Sequence, residues 1–314
     1  MKILIVCSAT NLQIAPFIAE QAESLRACGQ TVEFYLIREK GVKGYLHALP
    51  GLKSTIAAFR PDIVHAHYGL SGLLANLQRK VPVVTTFHGS DINDPRVFLW
   101  SRWSIRLSRY AIFVSQHAVE IANPRRHYAV LPCGVNMSRF CPVEKKIARQ
   151  QLGWNDGEAY ILFAGTSEVE VKNYPLARQA VRNIPGAHLI ELKGFGREEV
   201  NLALNAADVA LMTSFSEGSP QFIKEAMACN CPVVSTDVGD VKQLTEDVEG
   251  CYITTFEVES VTTGLEHALR FASGKGRTKG RERIECLGLT DNRIAGELIG
   301  IYQRCIHNDG REQQ

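Results

Sequence analysis

Two glutamates, Glu217 and Glu225, lie in the stretch SEGSPQFIKE, with Gly218, Ser219 and Pro220 between them. A serine hydroxyl caps exposed backbone N–H groups, and proline lacks an N–H that a first helical turn would leave unpaired anyway. This predicts a helix with Ser219 as its N-cap and Pro220 as its first residue. The N–H groups of Gln221 and Phe222 would then lie at the positive end of the helix dipole, a ready phosphate site. Phe222, Ile223, Ala226 and Met227 mark the face toward a core, leaving Gln221 and Glu225 one turn apart on the other side. Gly218 permits close approach of a ligand to the backbone. A carboxylate facing a phosphate is repelled, so Glu225 suits sugar hydroxyls, bonds to a charged acceptor contributing about 1.5–3 kcal/mol. Glu217 would face whatever lies beyond the phosphates. By spacing alone the pair reads better as two surface carboxylates beside a well-capped helix. The strand before, the Gly-Ser-Pro start and the strand after reverse that preference.

Other clusters invite the same weighing. Lys172, in FAGTSEVEVKNYPLA, follows an apolar run that ends at Gly165 and Thr166. A solvated loop is the usual place for lysine, although this one borders the strand ends where ligands of open α/β sheets bind. His88 ends the run PVVTTFH and is followed by Gly89, Ser90 and Asp91. A histidine there either bonds the backbone or takes part in chemistry. His65 and His67 alternate in DIVHAHYG and point to one side of a strand, but with no third ligand apparent no metal site is expected. His117, in SQHAVE, could cap a helix or reach a substrate. Cys229 and Cys231 have CxC spacing with no second pair, which is not a zinc motif; Asn230 between them suits a left-handed helix end. The basic run RFASGKGRTKGRER (270–283) and the pair Arg125-Arg126 are most commonly solvated surface, the alternatives being contacts for anionic lipid headgroups or for a phosphorylated substrate.

Apolar runs at 2–8, 32–37, 62–67, 82–88, 111–115 and 129–132 alternate with amphipathic stretches such as APFIAEQAESLRACG, where Phe17, Ile18, Ala22 and Leu25 share a face. The pattern restarts at 159–165, 188–194, 209–214, 232–237 and 251–255. Continuous apolar strands separated by helices imply parallel strands covered on both faces. The expectation is an α/β protein of two doubly wound, Rossmann-like domains facing across a cleft. The first spans residues 1–140 and the second 159–290, with 141–158 as connection and 291–314 as a helix crossing back to the first, then a tail. Ligands of such sheets bind at the carboxyl ends of the strands, where the polar clusters above fall.

The totals narrow the class. A chain of 314 residues suits two ordinary cores. A formal charge of +2 gives no general case for nucleic-acid binding. The nine cysteines are an odd number, scattered in or beside apolar segments (Cys7, Cys28, Cys133, Cys231, Cys251), which suits buried thiols in a reducing, cytoplasmic setting. MKILIVCSATN reads as a buried strand rather than a signal peptide, and no apolar segment approaches the length of a membrane span.

SEGSPQFIKEAMACNCPVVSTDVGD resembles the E-x7-E segment of retaining glycosyltransferases with the GT-B fold, family 4 (glycosyl transferases group 1). PDIVHAHYG, TTFHGSD and LPCGVNMSRF are each similar to further family segments, so the resemblance spans nearly the whole chain. It implies an acceptor-binding first domain and a nucleotide-sugar-binding second domain. It also implies that Glu225 binds ribose, that Glu217 lies by the donor sugar, and that backbone around Gly218–Gln221 holds phosphate or sugar oxygens. Lys172 would neutralise the diphosphate, and His88 would lie beside donor sugar or acceptor. Front-face retention needs no general base beyond the leaving phosphate, and no close carboxylate pair supplies a nucleophile. Two departures stand out. Many relatives carry an arginine shortly upstream of the lysine, and Gly165–Val171 holds none. The loop after the first strand is Ser8-Ala9-Thr10-Asn11, without the Gly-Gly frequent in the family.

The expected activity is metal-independent, cofactor-free transfer from a UDP- or GDP-linked sugar to a glycan, lipid-linked or small-molecule acceptor. Cell-surface polysaccharide or glycolipid synthesis is the expected setting, at the inner membrane face if peripheral association occurs. Asn11, His67, Asp91 and His117 are the candidate acceptor-side residues. Alternatives are a non-hydrolysing nucleotide-sugar epimerase, which needs no acceptor, and a noncatalytic nucleotide-sugar-binding protein. A dinucleotide oxidoreductase is disfavoured because SATNLQ, not GxGxxG, follows the first strand.

Overall fold

The structure, a computed structural model of the chain, describes residues 1–9, 13–39, 41–125 and 127–309. The chain divides into two compact units, Met1–Gly134 with the residues from Asp291 onward, and Val135–Thr290. The division therefore falls before the stretch 141–158 expected to connect the domains. That stretch belongs to the second unit because its polar groups are committed there. Arg149 is buried, donating to the Ala206, Asn155 and Asp156 carbonyls and to Asp208, which Lys145 also engages.

The first unit is built on six parallel strands, β1 (Lys2–Ser8), β2 (Thr31–Ile37), β3 (Ile63–His67), β4 (Val83–Phe87), β5 (Tyr110–Phe113) and β6 (Tyr128–Val130). They lie in the order β2-β1-β3-β4-β5-β6, with Ile3 paired to both Val32 and Ile63. Every residue of β3 and β4 is buried, which is why these strands read as unbroken apolar runs with histidine and threonine admitted only where partners wait. Leu4, Val6, Val64 and Ala66 pack under Leu52, Ile56, Leu74 and Ala75 of the covering helices, each such side chain contributing about 1.5–3 kcal/mol when fully buried. In the helix Pro16–Ala27, Glu20 and Ser24 are buried along with Ile18, Ala22 and Leu25, while Phe17 is only half-buried. The helix Asp291–Asp309 belongs to the same unit, and its Asp291 carboxylate accepts from the Ser24 hydroxyl at 3.4 Å.

The second unit has five parallel strands, β7 (Ala159–Phe163), β8 (Ala187–Glu191), β9 (Val209–Met212), β10 (Val233–Thr236) and β11 (Cys251–Thr254), in the order β11-β10-β9-β7-β8. Ile161, Phe163, Val209, Leu211 and Val234 form its core with Ala177, Ala180, Leu265 and Ala268. In both sheets the strand order reverses, at β1/β3 and at β7/β9, and such switch points open a crevice at the strands' carboxyl ends.

The basic run 270–283 is largely structural. The Arg281 guanidinium donates to the carbonyls of Met137, Phe140 and Ala228, and Arg277 donates to those of Leu204 and Asn205. Arg283 donates to Gln243 and Leu244, while Lys275 and Lys279 pair with Glu249 and Glu282. Carbonyls at helix and loop ends need donors, and these side chains supply them. Arg126 and the residues beyond 309 lie outside the described residues. All nine cysteines are free, Cys7, Cys133 and Cys231 buried as expected but Cys28 exposed. Among the described residues no helix is long and apolar enough to cross a membrane.

Candidate active site

The second unit brings the predicted donor residues together at its β7/β9 switch point. β7 runs out at Gly165, and the chain loops through the half-buried Thr166 to a short 3-10 turn, Glu170–Lys172. The Thr213 hydroxyl, just past β9, spans the Lys172 and Asn173 carbonyls at 3.1 and 3.0 Å, and the Phe215 N–H donates to the Val171 carbonyl. These bonds fasten the two loops side by side. Lys172 Nζ consequently meets Glu217 Oε1 at 2.7 Å, both side chains being largely buried. Gly165 matters here for want of a side chain: a Cβ would come within 3.0 Å of the Lys172 stem.

The Glu217–Gly218 turn is supported from behind by the loop after β10. The Thr236 hydroxyl donates to the Ser214 carbonyl. Gly239, at φ +60°, packs so close that a Cβ would stand 2.4 Å from the Gly218 carbonyl oxygen. The helix that follows spans Gln221–Ala228, one residue later than predicted: Pro220, in extended backbone, is the N-cap, and the buried Ser219 hydroxyl accepts from no helix N–H. The N-cap residue therefore supplies this helix with no side-chain cap. Gly218 and Pro220 are buried and Gln221 half-buried.

Glu225 is 2% exposed, so it is no surface carboxylate. Both of its oxygens face the Arg197 guanidinium, which also lies 4.7 Å over the Phe140 ring. Arg197 opens the helix Arg197–Ala206, where the Glu199 carboxylate accepts from the Gly196 N–H. Sequence reasoning missed Arg197 because the arginine was sought before Lys172, whereas β8 and its loop deliver one from the other side. It also missed Lys224, which is fully buried. Burial raises the Asp240 carboxyl above its ordinary value, and the Lys224 ammonium pulls it back. The signal was present: Lys224 lies between Ile223 and Glu225, on a helix whose middle is buried all round. Asn230 does end this segment left-handed, at φ +57°.

The first unit assembles a row of imidazoles. His65 and His67 share one side of β3 with ring centroids 4.4 Å apart, and both are fully buried. His65 is held by the Thr86 hydroxyl at 2.8 Å and by the Tyr302 hydroxyl, from the helix Asp291–Asp309, at 2.6 Å. His67 Nδ1 shares a proton with His88 Nε2 across 2.9 Å, and His88 packs between Phe17 and Tyr68. Burial pushes His65 down to about 3 and His67 well below its ordinary value, the neighbouring His65 and His88 adding to the effect. The His65 and His67 rings are therefore neutral, and the row orients His88 through the His67 contact.

Asp91 is buried. Its carboxylate accepts backbone N–H groups of Gly69, His88 and Gly89, which fixes the loop after β4; burial raises it to about 6, against those hydrogen bonds. His117 is exposed and pairs with Glu120 at 3.9 Å, and Ser115, not His117, caps its helix. Asn11 lies outside the described residues. Among the described residues no group of three His, Cys, Asp or Glu is placed to hold a metal ion.

A family model described as Glycosyltransferase Family 4 matches residues 13–139, and one described as Glycosyl transferases group 1 matches residues 143–270. The chain belongs to this family and has its GT-B fold. It is 27% identical to the teichuronic acid biosynthesis glycosyltransferase TuaC of Bacillus subtilis over 215 residues, 59% of this chain and 55% of that protein. It is 25% identical to the D-inositol 3-phosphate glycosyltransferase of Mycobacterium bovis over 307 residues, 81% of this chain and 64% of that protein. The chain thus spans between half and two thirds of the length of these relatives. In structure it is similar to Anabaena HepE solved with UDP, at a TM-score of 0.76 and 16% identity over 97% of this chain and 100% of that one.

Proposed function

We propose that the protein is a retaining, metal-independent glycosyltransferase, taking a sugar from a UDP- or GDP-linked donor to a glycan, lipid-linked or small-molecule acceptor in cell-surface polysaccharide or glycolipid synthesis. The observation that carries this reading is the Lys172–Glu217 pair at the β7/β9 switch point, beside the start of the helix Gln221–Ala228. In this reading the diphosphate lies on the N–H groups of that helix start and draws the Lys172 ammonium from Glu217. The freed carboxylate then accepts from donor-sugar hydroxyls. Glu225, held by Arg197, accepts from the ribose. As the glycosidic bond to phosphate breaks, negative charge grows on the leaving diphosphate, where a fixed cation lowers the barrier most. The acceptor oxygen bonds to the sugar carbon from the same face that the diphosphate leaves, and the leaving phosphate takes the acceptor's proton, so neither a carboxylate nucleophile nor a separate general base is needed. In the first unit, His88, oriented by its imidazole row, makes hydrogen bonds rather than accepting a full proton. The sugar transfer named for the two relatives and the UDP bound by HepE support donor and reaction type.

The test is a thermal-shift screen with UDP, GDP and their sugars, followed by nucleoside diphosphate release with acceptors. Lys172→Ala should keep donor binding and lose about 10²–10³ in turnover. Glu225→Ala should lose the donor-induced shift. Equal donor stabilisation of wild type and Glu225→Ala would overturn the ribose assignment, and unchanged turnover in Lys172→Ala the leaving-group role. Turnover of nucleotide sugar without acceptor or diphosphate release would point to an epimerase.

A further inference from the structure

The helix Pro95–Leu107 has two unlike faces. Inward, Ser101 and Ser104 are buried against Gly69 and Gly72, where a Cβ would stand 2.0 and 2.2 Å from the two serine hydroxyls. The helix therefore lies tight on its neighbour, Gly69–Asn76, as a rigid ridge. Outward, Leu99, Trp103 and Leu107 recur every four residues and stand 56%, 51% and 40% exposed. At the α-helical rise this stripe is about 12 Å long. The Asn76 side chain donates to the Ser108 hydroxyl at 3.0 Å, which brings the exposed Leu77, Arg79 and Lys80 to the Leu107 end of the stripe.

The charge around the stripe is of one sign. Between Gly69 and Arg109 the chain has six cations, Arg79, Lys80, Arg96, Arg102, Arg106 and Arg109, against two acids, Asp91 and Asp94. Both acids are committed to backbone: Asp91 is buried under three N–H groups, and Asp94 caps the helix at the Arg96 N–H. Arg106 lies 5.9 Å over the Trp103 ring, joining the apolar and cationic parts.

We propose that this face docks the protein on an anionic lipid bilayer. The leucine–tryptophan stripe enters the headgroup boundary and the arginines meet lipid phosphates. Leucine and tryptophan on one face with arginine at its edges is the pattern of an interfacial helix, and a surface of many like anions matches Arg96, Arg102 and Arg106 without needing a fixed acidic rim. A second copy of the chain fits poorly, since it would set arginine against arginine. The inference stands whether or not the transfer reaction proposed above is correct.

Cosedimentation of the full chain with phosphatidylglycerol–phosphatidylcholine vesicles, against pure phosphatidylcholine, tests it. Binding should require phosphatidylglycerol and weaken with salt. Arg102→Gln with Arg106→Gln should lower the partition about 25-fold, roughly fivefold per charge. Leu99→Ser with Trp103→Ser should lower it at least tenfold. A vesicle-induced blue shift of tryptophan emission should be lost in Trp103→Phe. Arg270→Gln, an exposed cation on the second unit, should change little. Failure to bind, an equal loss in Arg270→Gln, or concentration-dependent dimers abolished by Leu99→Ser with Trp103→Ser would each overturn the proposal.

Discussion

Replacing Gly239 by alanine tests whether the loop after β10 holds the Glu217–Gly218 turn in place. Two costs combine at this position. Left-handed backbone, here φ +60°, costs an alanine about 1–2 kcal/mol, offset by about 0.4–1 kcal/mol because the unfolded chain loses freedom. The new methyl would also stand 2.4 Å from the Gly218 carbonyl oxygen and 3.2 Å from that of Glu217. Those are backbone atoms that cannot rotate away, and overpacking of this kind costs about 1–3 kcal/mol. The expected destabilisation is therefore about 2–4 kcal/mol. Gly153 supplies the control within the same unit: it sits at φ +70° with nothing within 4 Å of a Cβ, so Gly153→Ala should cost only the backbone part, about 1 kcal/mol. Urea unfolding of both variants measures the difference, and titration with UDP and GDP measures the consequence, since a displaced Gly218 weakens any ligand bound along Gly218–Gln221. Equal stability of the two variants, or unchanged nucleotide affinity in Gly239→Ala, would refute the reasoning.

Arg281→Ala should destabilise the second unit by about 2–4 kcal/mol, since it leaves three backbone carbonyls without their donor; Lys279→Ala, which loses only a surface pair with Glu282, should leave the unfolding midpoint where it was. Stability of the first unit should fall on acidification. His65 and His67 are held neutral by burial, at about 3 and well below 6.5 respectively, so their contribution is whole above pH 6.5 and is lost as pH falls toward 3. Asp91, raised by burial from 3.8 to about 6, acts oppositely, its contribution being whole below 3.8 and lost as pH rises through 6. Two imidazoles outweigh one carboxyl, so the unfolding midpoint should drop between pH 6.5 and 4; a flat or rising profile would contradict the buried, neutral row.

Much of the fold was legible because its signals are local. Each of the eleven apolar runs became a strand of a parallel sheet, most clearly β3, β4 and β9, which are buried throughout and must be apolar along most of their length. Asn230 at a left-handed helix end likewise needs only its neighbours. The candidate site was legible as residue types in order: Glu217, Glu225, Lys172 and His88 all stand at carboxyl ends of strands or on the helix that follows. What each of them touches was not legible. Lys172 and Glu217 are 45 positions apart and meet only because Thr213 fastens the loops after β7 and β9 together. Arg197 reaches Glu225 from the loop after β8, and Tyr302 reaches His65 from 237 residues away. The same gap explains the misreading of the basic run 270–283, whose arginines look like free surface charge until the carbonyls they serve come into place. Element type follows from a residue's neighbours in the chain, whereas the partner of a charged side chain follows from strand order, which only packing of the whole sheet decides.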